Sequence, residues 1–141
     1  MLRNLRWVLP AILIAGCSTA PEDIAQTYLD AIAAGDVAGA KETLCNIAEG
    51  FGLAEINAIE SSEILNVEQS EKDGVAIDVV DFRYTVAGMD AGTGRILLTG
   101  EALKLMNAQQ AELARLGMTP TEIDPKNYRK SRCIILVTKL E

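Results

Sequence analysis

The sequence predicts an α+β domain, an N-terminal helical hairpin packed on a curved antiparallel sheet, with a further helix before the last strand. Three observations carry this. Ile24, Tyr28, Ala31 and Ile32 recur at helical spacing ahead of any strand-like run. Residues 75–86 alternate two faces with the period of a strand. Asp73-Gly74, just before them, is a hairpin signal. Helices first and antiparallel strands after place the helices on one side of the sheet.

The first helix opens at Thr19-Ala20-Pro21-Glu22, with Thr19 as expected N-cap and Glu22 as its capping-box partner. Gly35 stops it, and Asp36 caps a second helix expected from Val37 to Ala48, with Cys45 on its flank. Gly50-Phe51-Gly52 breaks the pattern. A first strand is expected in the second half of residues 55–69. The clearest strand, Val75 to Val86, carries Ala76, Asp78, Val80, Phe82, Tyr84 and Val86 on one face. Its other face is apolar early and polar late, which buries both sides only at its start. Gly88 to Gly94 reads as a flexible hairpin connection, since it lacks the Lys of a P-loop and the alternating acids of an EF-hand. Arg95 to Thr99 is a third strand. A helix is expected between Asn107 and Leu116, with residues 100–106 left open between strand and helix. Pro120 and Pro125 bound a loop, and Arg132 to Leu140 is the last strand, with Cys133, Ile135 and Val137 on one face.

The first seventeen residues speak to location. Arg3 and Arg6 precede an apolar run from Trp7 to Gly16, the n-region and h-region of a secretory signal. The run is shorter than the roughly 20 residues of a spanning helix, and Pro10 interrupts it. Ile14-Ala15-Gly16-Cys17 resembles the lipobox of bacterial lipoproteins. That resemblance implies cleavage before Cys17, a diacylglyceryl thioether on its sulfur and an acyl chain such as palmitate on the new amine. The expected organisation is a signal peptide at 1–16, a short tether at 17–20 and one α+β domain at 21–141. Ser18 after the cysteine resembles the pattern sorted to the outer membrane where the host has two membranes. The expected address is the cell envelope, at the membrane surface.

Composition narrows the function classes. The 141 residues hold 13 basic and 20 acidic side chains, a net charge of −7. Arg3 and Arg6 leave with the signal, so residues 17–141 carry −9. Such acidity argues against nucleic acid as partner and makes the acyl chains, rather than surface charge, the means of attachment. The sequence has no His, which excludes Ser-His-Asp and Cys-His sites and His-type zinc sites. With Cys17 lipidated, Cys45 and Cys133 remain as an even pair in an oxidising compartment. A disulfide between them is expected; two separately buried thiols are the alternative.

Tyr28-Leu29-Asp30-Ala31-Ile32-Ala33-Ala34-Gly35-Asp36 resembles the opening of nuclear transport factor 2-like, or cystatin-like, domains. The resemblance covers residues 21–48 and the strands only loosely. It implies a cone with a cavity between helix and sheet, in a family where some members are isomerases or dehydratases and others bind ligands or partners. Fold alone selects no activity. An isomerase-type site needs an acid in an apolar pocket and a Tyr or protonated acid to hold an oxyanion. Asp78, sharing a face with Phe82 and Tyr84, and Tyr28 on the first helix form the one constellation of that kind. Against it, Asp78 is expected at a strand end with its carboxylate in water. Lys126, Arg129, Lys130 and Arg132 form a basic cluster that reads either as a solvated loop or as a contact for anionic headgroups or an acidic partner.

The sequence therefore favours a membrane-anchored envelope lipoprotein, a non-catalytic binding or assembly accessory. Its partners would be the membrane, through the lipid, and an envelope protein or small apolar ligand. No catalytic, cofactor-binding or metal-binding residue is assigned. The alternative is a small lipid-anchored enzyme of isomerase or dehydratase type using carboxylate and Tyr chemistry.

Overall fold

The computed structural model describes residues 20–46 and 59–140. Its elements are α1 (Pro21–Ala34), α2 (Val37–Lys41), β1 (Ile59–Lys72), β2 (Val75–Val86), β3 (Gly92–Thr99), α3 (Ala102–Arg115) and β4 (Cys133–Leu140), with a 3-10 turn at Pro125–Asn127. The fold is α+β. The strands form one antiparallel meander in the order β1-β2-β3-β4.

α1 forms because Pro21 suits its first turn and Glu22 and Asp23 complement the helix dipole there. Ala20 occupies the cap position and supplies no side-chain hydrogen bond, while Thr19 lies outside the described residues. Gly35 ends the helix at φ 76°, a left-handed conformation open to glycine without strain. The Asp36 amide then donates to the Ala31 carbonyl at 2.8 Å. Asp36 caps the next helix, its Oδ1 accepting from the Gly39 amide at 2.9 Å.

That second helix is five residues long, not the twelve from Val37 to Ala48, so the expected hairpin of two full helices is not formed. The reason is a competing partner. Past Lys41 the chain runs beside β4: the Ile134 amide donates to the Thr43 carbonyl and the Cys45 amide to the Ile134 carbonyl, both at 2.8 Å. Leu44 and Ile134 thus form a parallel bridge, and the edge of β4 takes the hydrogen bonds a helix would have used.

Asp73 and Gly74 take φ 53° and 79° in the turn joining β1 to β2. This pair of positive angles matches the twist of hairpin strands and explains the Asp-Gly pair. β1 begins at Ile59 and outlasts the expected strand by three residues. α3 begins at Ala102, so residues 102–106, left open by the sequence, are helical. Thr99 makes this switch from strand to helix. Fully buried, its hydroxyl donates to the Ala76 carbonyl at 3.0 Å and accepts from the Glu101 amide at 3.1 Å.

The main core lies between α1 and the sheet. Ala25, Tyr28, Leu29 and Ile32 of α1 pack on Val80, Phe82 and Tyr84 of β2, Ile96 and Leu98 of β3, and Ile134 and Val137 of β4. The last strand corrects the expected pattern. A register shift opposite Leu97/Leu98 puts an irregularity at Ile135, so Ile134 and Val137 face the core together. Cys133 and Ile135 join smaller clusters on the α3 side. One extra residue in a strand turns every side chain beyond it to the other face. At the start of β2, Val75 and Ile77 are buried against Leu105 of α3 while Ala76 is exposed. The sheet is therefore covered along one face by α1 and at one end of the other face by α3.

Candidate functional site

The constellation of Asp78, Phe82, Tyr84 and Tyr28 is assembled on the α1 face, but not as an open site. Phe82 and Tyr84 are neighbours on β2 with ring centroids 5.8 Å apart. Directly across the ladder, Phe82 faces Gly94 and Tyr84 faces Gly92. A Cβ on Gly94 would sit 2.4 Å from the Phe82 Cζ and 3.0 Å from the Thr138 carbonyl oxygen. Gly92 and Gly94 of the expected flexible connection thus lie in β3, where missing side chains let the rings lie over the strand, while Gly88 stays in the turn before it.

Tyr28 points into this cluster and is fully buried. Its hydroxyl has no hydrogen-bond partner among the described residues. Desolvation pushes its pKa up to about 12, so it is a neutral phenol across the physiological range.

Asp78 is not at a strand end in water. It is 6% exposed, and its Oδ2 lies 3.2 Å from Arg132 Nε in an ion pair. A buried carboxylate survives by pairing, and Arg132 supplies the charge from the segment just before β4. The sequence reading missed this partner because it lies in another element. By sequence Arg132 belongs instead to the basic cluster with Lys126, Arg129 and Lys130. Arg129 of that cluster is structural too: its Nε donates to the Leu44 carbonyl at 2.7 Å and its amide to the Cys45 carbonyl at 3.0 Å. Arg129 thereby holds the chain after α2 against the loop. Two of the four expected surface cations are consumed inside the fold, leaving the exposed Lys126 and Lys130 near Tyr128.

In the structure Cys45 and Cys133 are joined, across a sequence separation of 88. Both are buried, next to Ala102 at the start of α3. The link ties the segment after α2 to the first residue of β4, and the tie lies one residue from the Leu44–Ile134 bridge.

Among the described residues, two openings bear on ligand binding. The larger, about 570 Å³, lies between α3 and the outer face of the sheet; the smaller, about 190 Å³, lies between the start of α3 and the Pro125–Lys130 loop. Asp78 lines neither. Among the described residues no group of His, Cys, Asp and Glu is arranged to hold a metal ion. No helix among them is long and apolar enough to cross a membrane. Cys17 and the signal segment lie outside the described residues. No known family, curated protein or solved structure matches the chain.

Proposed function

We propose that the protein is a lipid-anchored envelope lipoprotein whose domain acts by binding rather than by catalysis. The observation that carries the second half is the Asp78–Arg132 ion pair. A general base needs a carboxylate that can reach substrate, and the acid on the apolar face of β2 is instead neutralised and packed in place. Tyr28, the phenol an oxyanion would need, is enclosed by core side chains. The anchor half rests on Ile14-Ala15-Gly16-Cys17, and the Cys45–Cys133 link suits an oxidising compartment. The same reading takes the fold as a variant of the nuclear transport factor 2-like domain, with its hairpin reduced to one full helix and a short turn of helix. The Tyr28–Asp36 segment and the packing of α1 on an antiparallel sheet support this.

The test is genetic. In cells lacking the native copy, Asp78→Asn should restore envelope properties as the unaltered chain does. A chain with residues 21–141 deleted behind the anchor should not. An Asp78→Asn chain that is folded and anchored yet behaves like the deletion would overturn the binding reading in favour of a carboxylate enzyme.

A further inference from the structure

The start of α1 sets which end of the domain an anchor can hold. Gln26 Nε2 donates to Ser62 Oγ at 3.2 Å, and Ser62 pairs with Tyr84 near the end of β2. Pro21 precedes Gln26 by about 7.5 Å of helix. Val86 lies beyond Tyr84 by about 7 Å of strand. α1 therefore begins about level with the turn that joins β2 to β3. Its other end leads through α2 to Leu44, which bridges Ile134. Ile134 pairs with Leu98 and Leu98 with Asp78, near the start of β2, so the helix runs along the sheet away from the β2–β3 turn. The length of β2 from Val75 to Val86 sets the Asp73-Gly74 turn about 36 Å from that end.

The β2–β3 turn is tied and apolar at its tip. The Met89 amide donates to the Val86 carbonyl at 3.0 Å, and residues 87–91 are exposed. Met89 is 72% exposed, the largest fraction of any large apolar side chain among the described residues. Acids surround it: Glu22 and Asp23 at the start of α1, Glu60 at the start of β1 and Asp90 in the turn, against Lys139 near the end of β4. Such an end does not seek an anionic surface. Leu116 and Met118, also exposed, lie elsewhere. Beyond them the chain turns back, so that the Thr121 amide donates to Gln110 Oε1, and the adjacent Gln109 lines the groove with Lys72 at the far end of β1. Cys17 precedes Pro21 by four residues, which span at most about 14 Å in any conformation. That reach is well short of the sheet's length. Acyl chains on Cys17 thus hold the α1 start, and the turn level with it, against a headgroup layer about 5–8 Å deep.

We propose that the β2–β3 turn is the membrane-facing tip of the anchored domain, with Met89 resting in the headgroup layer of a zwitterionic bilayer and the Asp73-Gly74 turn directed away from it. The proposal rests on the reading of Cys17 as lipidated and adds the surface that the domain turns to the bilayer. Trp7 is the sole tryptophan of the chain and leaves with the signal, so an introduced Trp reports its own position. Full chains bearing Met89→Trp, Lys72→Trp or Met118→Trp, all at exposed positions, are purified from membranes and checked for folding by circular dichroism. They are then inserted into preformed phosphatidylcholine vesicles with and without a headgroup nitroxide. The nitroxide should quench Met89→Trp, whose emission should also be blue-shifted, and leave Lys72→Trp and Met118→Trp unchanged. Replacing part of the phosphatidylcholine with phosphatidylglycerol at low salt should lessen that quenching, because the acids around Met89 are repelled. Equal quenching at the three positions, or none at Met89→Trp, overturns the proposal. So does quenching that rises with phosphatidylglycerol. The mass of the N-terminal peptide is read on the same samples. An acylated Cys17 with an unquenched Met89→Trp defeats the tip and leaves the anchor standing; an unmodified Cys17 defeats the anchor and the proposal with it.

Discussion

Replacing Tyr28 with Phe asks whether the buried phenol does anything. The hydroxyl sits in the main core without a hydrogen-bond partner among the described residues. Burying such a group unsatisfied costs about 1–3 kcal/mol. Deleting it while keeping the ring should recover part of that cost, so Tyr28→Phe should be more stable than the unaltered chain by about 1 kcal/mol at neutral pH. The pH dependence sharpens the test. Burial raises the folded pKa from 10.0 to about 12, so the group's contribution is complete below pH 10 and is lost as pH rises towards 12. Near pH 11 the unfolded phenol is mostly ionised and the folded one is not. The unaltered chain should then have lost about 1.4 kcal/mol more than Tyr28→Phe, relative to pH 7. Tyr84 and Tyr128 remain in both chains, so the comparison isolates Tyr28. Urea unfolding of both chains in mild detergent at the two pH values reads each number. A Tyr28→Phe chain destabilised by more than about 1 kcal/mol at pH 7 would refute the reasoning. The hydroxyl would then be held by a buried water or ligand, and the phenol would return as a functional group.

Three further outcomes follow from the same packing. Gly94→Ala should cost about 1–3 kcal/mol, measured by urea unfolding, because its Cβ would collide with the buried Phe82 ring and the Thr138 backbone. Peptide mapping without reduction should recover Cys45 and Cys133 in one linked species; alkylation of both thiols without reductant would count against the link. Replacing both with Ser should lower stability by about 4–5 kcal/mol for a loop of this length in the chain-entropy view. Asp78→Asn should lower it by about 1–3 kcal/mol, since the partly exposed Arg132 can turn to water once its partner loses charge.

What the sequence made legible is what local chemistry decides. Gly35 and Asp36 stop one helix and cap the next by their own conformations. Asp73-Gly74 sets a turn, and β2 runs between the very residues its alternation marks. The misses have non-local causes. Residues 42–46 have helical composition but find the edge of β4, some ninety residues on. The irregularity at Ile135 is settled by pairing with β3, so an alternating sequence gave the wrong inner face. The candidate site failed for the same reason. Asp78 read as exposed because Arg132, which neutralises it, lies 54 positions later in the sequence. The groove between α3 and the sheet was invisible because it needs four strands paired in register and α3 laid across them; its apolar residues alone read as ordinary core.

The anchor is the claim on which the address and the mode of action both depend, and the mass of one peptide tests it. The chain is isolated from the membrane fraction, digested, and its N-terminal fragment weighed. The account predicts a fragment that begins at Cys17 and carries a diacylglyceryl group and an amide-linked acyl chain, with Cys17→Ala accumulating as unprocessed precursor. At about 0.8 kcal/mol per buried methylene, two or more such chains hold the domain stably at the bilayer. An unmodified Cys17 in a chain found free of membranes would contradict it.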